Sequence, residues 1–200
     1  LADKYAAIEP PTWSLLLAES CRSVGYKVGI CDANAEQLTA SDVLERVRKL
    51  NPRLICFVVY GQNVNAGTVN MSGAVYISSH LKAHNIKTPI AYVGSHVQAL
   101  PTKSLKDEPS IDFVWRKDGK PTFNPPEKVV PRDRMDIDLP GYAWDLLPYD
   151  KSPLDLYRAP MWHAEYDETK RSPYAAIQTS LGCQFGCNFC MINILNRNDN

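Results

Sequence analysis

The chain has 200 residues, 44% of them hydrophobic and 22% charged, with 22 lysines and arginines against 22 aspartates and glutamates. That balance gives no bulk attraction to nucleic acid or to an acidic membrane surface. No apolar run approaches the ~20 residues needed to cross a bilayer, and the opening Leu1-Ala-Asp-Lys-Tyr5 lacks a signal-peptide pattern. A cytoplasmic protein with no nucleic-acid or membrane partner is expected.

In chain order, Thr12–Val24 reads as a helix stopped by Gly25. Tyr26–Cys31 reads as a short strand. Ser41–Leu50 reads as an amphipathic helix with Ser41 as its N-cap and Val43, Leu44, Val47 and Leu50 on one face. Leu54–Tyr60 is a continuous apolar run, the pattern of a strand buried on both sides. Val69–His84 is helical, Pro89–Val93 is another buried strand, and Ile111–Trp115 a last short one. Strands alternating with helices predict a parallel sheet built from βαβ units. A first strand is expected upstream of Leu1, and the chain reads as a fragment. Ligands of such sheets sit beyond the carboxyl ends of the strands, which directs attention to the loops after Tyr60 and Val93.

Residues 116–173 hold nine prolines, from Pro121 to Pro173, and read as an ordered connector without long regular elements. Trp162 and His163, near Tyr157, Arg158 and Tyr166, read as aromatics pinning that connector to the surface it crosses. Asp145, Asp150 and Asp155 make no credible acid–base set. Tyr174–Thr179 is expected to be the first strand of a second domain, delivering Ser180-Leu181-Gly182 and then Cys183-Gln-Phe-Gly-Cys187-Asn-Phe-Cys190.

The six cysteines are unevenly placed: Cys21, Cys31 and Cys56 lie in apolar segments, whereas Cys183, Cys187 and Cys190 fall within eight residues. The first three are expected to be small buried hydrophobes. The last three can converge on one metal centre, with Gly182 and Gly186 permitting the tight fold and Phe185, Phe189, Met191 and Ile192 covering the centre. A cubane cluster on three thiolates leaves one iron without a protein ligand. Half of a zinc site is the bland alternative, but zinc sites usually pair their cysteines and need a fourth ligand.

The spacing Cys183-x3-Cys187-x2-Cys190, with Phe189 before the last cysteine, resembles the hallmark of the radical S-adenosylmethionine (radical SAM) superfamily. The region before it is similar to the branch carrying an N-terminal cobalamin-binding domain, on element order, on Glu9-Pro10-Pro11 and on Val93-Gly94-Ser95-His96. The resemblance implies a flavodoxin-like (Rossmann-like) α/β domain at 1–115, a connector at 116–173, and at 174–200 the start of a (β/α) TIM-type partial barrel. It implies a [4Fe–4S] cluster on Cys183, Cys187 and Cys190, S-adenosylmethionine on the open iron, and the backbone at Phe189 near the adenine. Reductive cleavage would then yield a 5′-deoxyadenosyl radical. It further implies cobalamin near Tyr60, Gly61, Gln62, Gly94, Ser95 and His96, and radical C-methylation as the chemistry. Family members usually carry a second small residue where Ser95 stands. No Asp-x-His-x-x-Gly occurs, so no histidine ligand to cobalt is expected. A small-molecule substrate, of natural-product or saccharide type, and an electron donor such as flavodoxin or ferredoxin would be the partners. Cobalamin-free or non-methylating radical chemistry, and a non-catalytic zinc module, are the rival readings.

Overall fold

The computed structural model describes residues 7–60, 67–115, 121–123, 140–149, 156–158, 174–177 and 185–190. The chain divides into two compact units. One combines Leu1–Thr39 with Ile137–Thr179, and the other combines Ala40–Asp136 with Ser180–Asn200.

In the first unit, helix α1 (Thr12–Ser23) follows the two prolines and buries Leu15, Leu16 and Ala18. It ends as the sequence predicts. Gly25 takes a φ of 91°, and its N–H and that of Tyr26 donate to the carbonyls of Arg22 and Cys21. Tyr26–Cys31 forms no strand, a correction: Tyr26, Val28 and Ile30 alternate with Lys27 and Gly29, but no described segment pairs with them, and Tyr26 is 68% exposed. The connector corrects a second expectation. Its residues build a core rather than only crossing a surface. Leu147, Leu156 and Tyr157 pack with Leu15 and Ala35, flanked by Ile8, Ile30, Tyr142, Trp144, Tyr149 and Tyr174. Backbone hydrogen bonds reinforce it. Ile8 and Arg158 exchange two, at 3.1 and 2.8 Å, and the Ala143 N–H donates to Leu15 O. A 3-10 turn at Trp144–Leu146 gives this stretch a regular element despite its prolines. Asp145, set aside as an acid–base group, pairs with Arg22 at 2.7 Å. Trp162, His163, Tyr166, Asp150 and Asp155 lie outside the described residues. Tyr174–Ile177 is described and forms no strand.

The second unit opens with α2 (Ala40–Leu50). It begins one residue earlier than predicted, so Ser41 lies in the first turn rather than capping it. Val43 and Leu44 are buried, but Leu50, on the same face at the last position of the helix, is exposed. Then follow β1 (Ile55–Val59), α3 (Gly67–Ala83), β2 (Ile90–Gly94), α4 (Ser95–Ala99), α5 (Pro101–Asp107), β3 (Phe113–Trp115) and β4 (Pro121–Phe123). The sheet order is β1-β2-β3-β4. The first three strands are parallel, and β4 returns antiparallel on β3. The strand β4 and the short helices α4 and α5 went unread in the sequence. Parallel pairing needs the crossover that α3 supplies, so the βαβ prediction holds.

β2 is the buried centre, with Ile90, Ala91 and Tyr92 fully covered. By contrast β1 is half-buried over Ile55–Val58. This corrects the two-sided burial expected of Leu54–Tyr60, since β1 lies at the edge of the described sheet with β2 as its neighbour. The core joins Leu44, Val59, Met71, Leu81, Ile90, Tyr92, Val97, Leu105, Ile111 and Val114. Tyr92 stacks on Phe57 with centroids 5.0 Å apart. Its hydroxyl donates to Ser78 Oγ at 2.8 Å, and Ser78 and Ser110 share a further bond of 2.8 Å. Burial raises the Tyr92 phenol well above its ordinary value, so it stays neutral.

Candidate functional site

The site lies where a parallel sheet places it, beyond the carboxyl ends of β1 and β2. Val59, the last residue of β1, pairs in register with Gly94, the last of β2. Gly94 has φ 156° and ψ 169°, a region that is essentially reserved for glycine. A Cβ there would overlap the carbonyl of Val59. Gly67, at the start of α3, is equally constrained: a Cβ would overlap the Ser95 hydroxyl. Two glycines thus let the ends of β1 and β2 meet backbone to backbone and the start of α3 close on the Ser95 side chain.

Around this junction, polar side chains tie the loops together. The Asn70 amide donates to the Tyr60 carbonyl at 2.9 Å. The Gln98 amide donates to the Tyr60 hydroxyl at 3.2 Å. Thr68 Oγ1 and His96 Nδ1 are hydrogen-bonded at 3.0 Å. Burial pushes the Tyr60 phenol up to about 12, against the smaller opposing effect of the Gln98 amide. It is therefore a neutral hydrogen-bonding group at physiological pH. Ser95 is fully buried, and its Oγ has no hydrogen-bond partner among the described residues.

Of the residues expected at this site, Tyr60, Gly94, Ser95 and His96 converge at the two strand ends. Gly61 and Gln62 lie outside the described residues. Thr68, Asn70 and Gln98 were missed. Their signal was available: each is a polar residue in the first turns of a helix that follows a strand. Asp32, which Ala33-Asn34-Ala35 follows where the Asp-x-His-x-x-Gly pattern would place a histidine, is held inside the first unit. Its carboxylate accepts from the Ala35 N–H at 3.1 Å and from the Tyr157 hydroxyl at 3.0 Å.

The cysteine segment is described only over 185–190, and Cys183 lies outside it. Cys187 is exposed and Cys190 half-buried, joined by a turn in which the Cys190 N–H donates to the Cys187 carbonyl at 3.2 Å. Phe185 and Phe189 are 63% and 84% exposed. Neither ring joins an apolar cluster among the described residues. Cys21 and Cys56 are half-buried and Cys31 is exposed, so the burial expected of these three is only partial. Burial raises the Cys21 thiol above its ordinary value. No helix among the described residues is long and apolar enough to cross a membrane.

A parallel α/β unit with a polar, glycine-closed site at its strand ends defines the class of a small-ligand-binding domain. Residues 1–124 match the B12 binding domain family, and the chain belongs to that family. The Uncharacterized methyltransferase PH0819 of Pyrococcus horikoshii is 26% identical over 209 aligned positions, covering 90% of this chain and 40% of that protein. The chain therefore spans less than half the length of this relative. No solved structure matches.

The residues present suit a corrinoid. Its rim carries carboxamides and its nucleotide loop a phosphate, all of which need hydrogen-bond partners. The site offers hydroxyl, amide and imidazole groups, including one buried hydroxyl with none of its hydrogen bonds made. Tyr60, Ser95, His96 and the Gly94 turn are the groups that would hold it.

Proposed function

We propose that the chain is the cobalamin-binding part and the opening cluster segment of a radical S-adenosylmethionine methyltransferase. Cobalamin is carried by family membership over residues 1–124. Methyl transfer is supported by the name of the relative, "Uncharacterized methyltransferase PH0819". The radical reading rests on the cysteine spacing behind that domain, Cys183-x3-Cys187-x2-Cys190. The cofactors would supply the hard chemistry, an adenosyl radical from the cluster with S-adenosylmethionine and a methyl group from cobalamin. The chain's part is to hold and orient them. Cys183, Cys187 and Cys190 would hold the cluster, and the Phe189 backbone would help to hold S-adenosylmethionine. The hydroxyl, amide and imidazole groups at the ends of β1 and β2 would hold the corrinoid, and Gly61 and Gln62 are expected to take part from their place in the sequence after Tyr60. The substrate is a small molecule, and a flavodoxin or ferredoxin delivers the electron.

Anaerobic reconstitution of the chain with iron and sulfide tests the cluster. The expected product is brown, contains iron and sulfide, and bleaches with dithionite. Replacing any one of Cys183, Cys187 and Cys190 by alanine should remove most of the bound iron and leave cobalamin binding intact. A colourless protein that takes up one equivalent of zinc instead would sink the radical reading and favour a zinc module.

A further inference from the structure

Four serines are buried in the described structure: Ser78, Ser95, Ser104 and Ser110. Three have their hydroxyls engaged. Ser78 and Ser110 bond each other at 2.8 Å, and Ser104 donates to the Leu100 carbonyl at 2.9 Å. Ser95 alone among these four is 0% exposed with no partner among the described residues. A buried hydroxyl left unpaired destabilises a fold, and native structures rarely keep one without a use. The hydroxyl lies in the space that Gly67 leaves open, where an added Cβ would come within 2.0 Å of it, so it is packed there without being hydrogen-bonded. What packing leaves unexplained is the missing hydrogen bond of an oxygen that sits at the junction of β2 and α3.

We propose that the Ser95 hydroxyl donates a hydrogen bond to the bound corrinoid and contributes to its affinity and selectivity. The inference rests on cobalamin binding at this site. The acceptor is an oxygen of the ligand, either the phosphate of the nucleotide loop or a carboxamide carbonyl on the corrin rim. Gly67 presents only backbone against Ser95, so a small displacement of the first turn of α3 uncovers the oxygen. Any side chain at 67 would seal it.

The test is equilibrium binding of hydroxocobalamin and of dicyanocobinamide, which lacks the nucleotide loop, to the whole chain and to Ser95→Ala. Thermal melting of each unliganded protein is measured alongside. Ser95→Ala is expected to weaken hydroxocobalamin binding about tenfold, with a melting temperature unchanged or raised. If the acceptor is the phosphate, the variant and parent bind cobinamide equally. If it is a rim carboxamide, the tenfold loss persists with cobinamide. Equal or tighter binding of hydroxocobalamin by Ser95→Ala overturns the proposal while leaving cobalamin binding standing. A lowered melting temperature of the unliganded variant also overturns it, since the hydroxyl would then be satisfied without ligand. Ser95→Gly provides the second hydroxyl-free side chain and should show the same loss. Failure of the parent chain to bind either corrinoid overturns the underlying reading and this inference with it.

Discussion

Asp112 shows how much one carboxylate oxygen can organise. Its Oδ2 accepts the Ile90 N–H at 2.6 Å and Lys82 Nζ at 2.7 Å, fastening α3 and the start of β2 to the approach of β3. Lys82 and Asp112 are both partly exposed, so their charge pairing adds little. The bond to the buried Ile90 backbone matters more, because an unpaired buried N–H carries a desolvation cost. Asp112→Ala is expected to lower stability by about 1–3 kcal/mol and Lys82→Ala by less than about 1 kcal/mol, read from chemical denaturation midpoints. Equal losses would count against the backbone bond as the larger part. Asp32 makes a second case. Burial raises its carboxyl above 3.8, while the Ala35 N–H and the Tyr157 hydroxyl pull it down. A carboxyl that holds its proton better folded than unfolded contributes stability below the ordinary value and loses it as pH rises through the raised one. Asp32→Asn should therefore gain most over the parent near neutral pH, and the difference should shrink as pH falls to about 4. Denaturation curves that keep a constant gap at both pH values would contradict this.

At the level of elements, the closure of the site depends on two glycines that differ in what they meet. Gly94 faces the Val59 backbone, which cannot move without breaking the β1–β2 register. Gly94→Ala is expected to cost about 3 kcal/mol or more. Gly67 faces the Ser95 side chain, and only the hydroxyl collides. Gly67→Ala should cost less, and adding Ser95→Ala should recover most of that loss. This non-additivity is read by a double-mutant cycle in thermal melting. Additive losses would show that α3 shifts for some other reason. The same contrast explains which elements were legible. α1, α2, α3, β1, β2 and β3 carry a periodic apolar pattern or a stop residue such as Gly25. α4 and α5 have no such pattern. They form because Ser95–Ala99 and Pro101–Asp107 are pressed onto the sheet, with Val97 and Leu105 buried. β4 forms because β3 offers it an edge.

Across the whole molecule, the division between what sequence and what structure decide follows the range of the interactions. The alternation of strand and helix, the importance of the loops after Tyr60 and Val93, and the grouping of three cysteines are local facts, readable because side-chain periodicity and short spacings need no partner elsewhere. Family membership over residues 1–124 agrees with the alternation of strand and helix read there. What local pattern could not contain is the pairing of distant segments. The connector's Leu147, Leu156 and Tyr157 join Leu15 and Ala35 in one core, a contact across more than a hundred residues that proline content conceals. Burial is likewise a property of neighbours: it leaves β1 half-covered, Phe189 in solvent and Tyr26–Cys31 without a ladder. The Ser95 hydroxyl belongs to the same class. The sequence by itself determined that a serine follows Gly94. Only the tertiary structure decided that its oxygen is buried without a partner, because that depends on the close approach of Gly67, twenty-eight residues earlier in the chain.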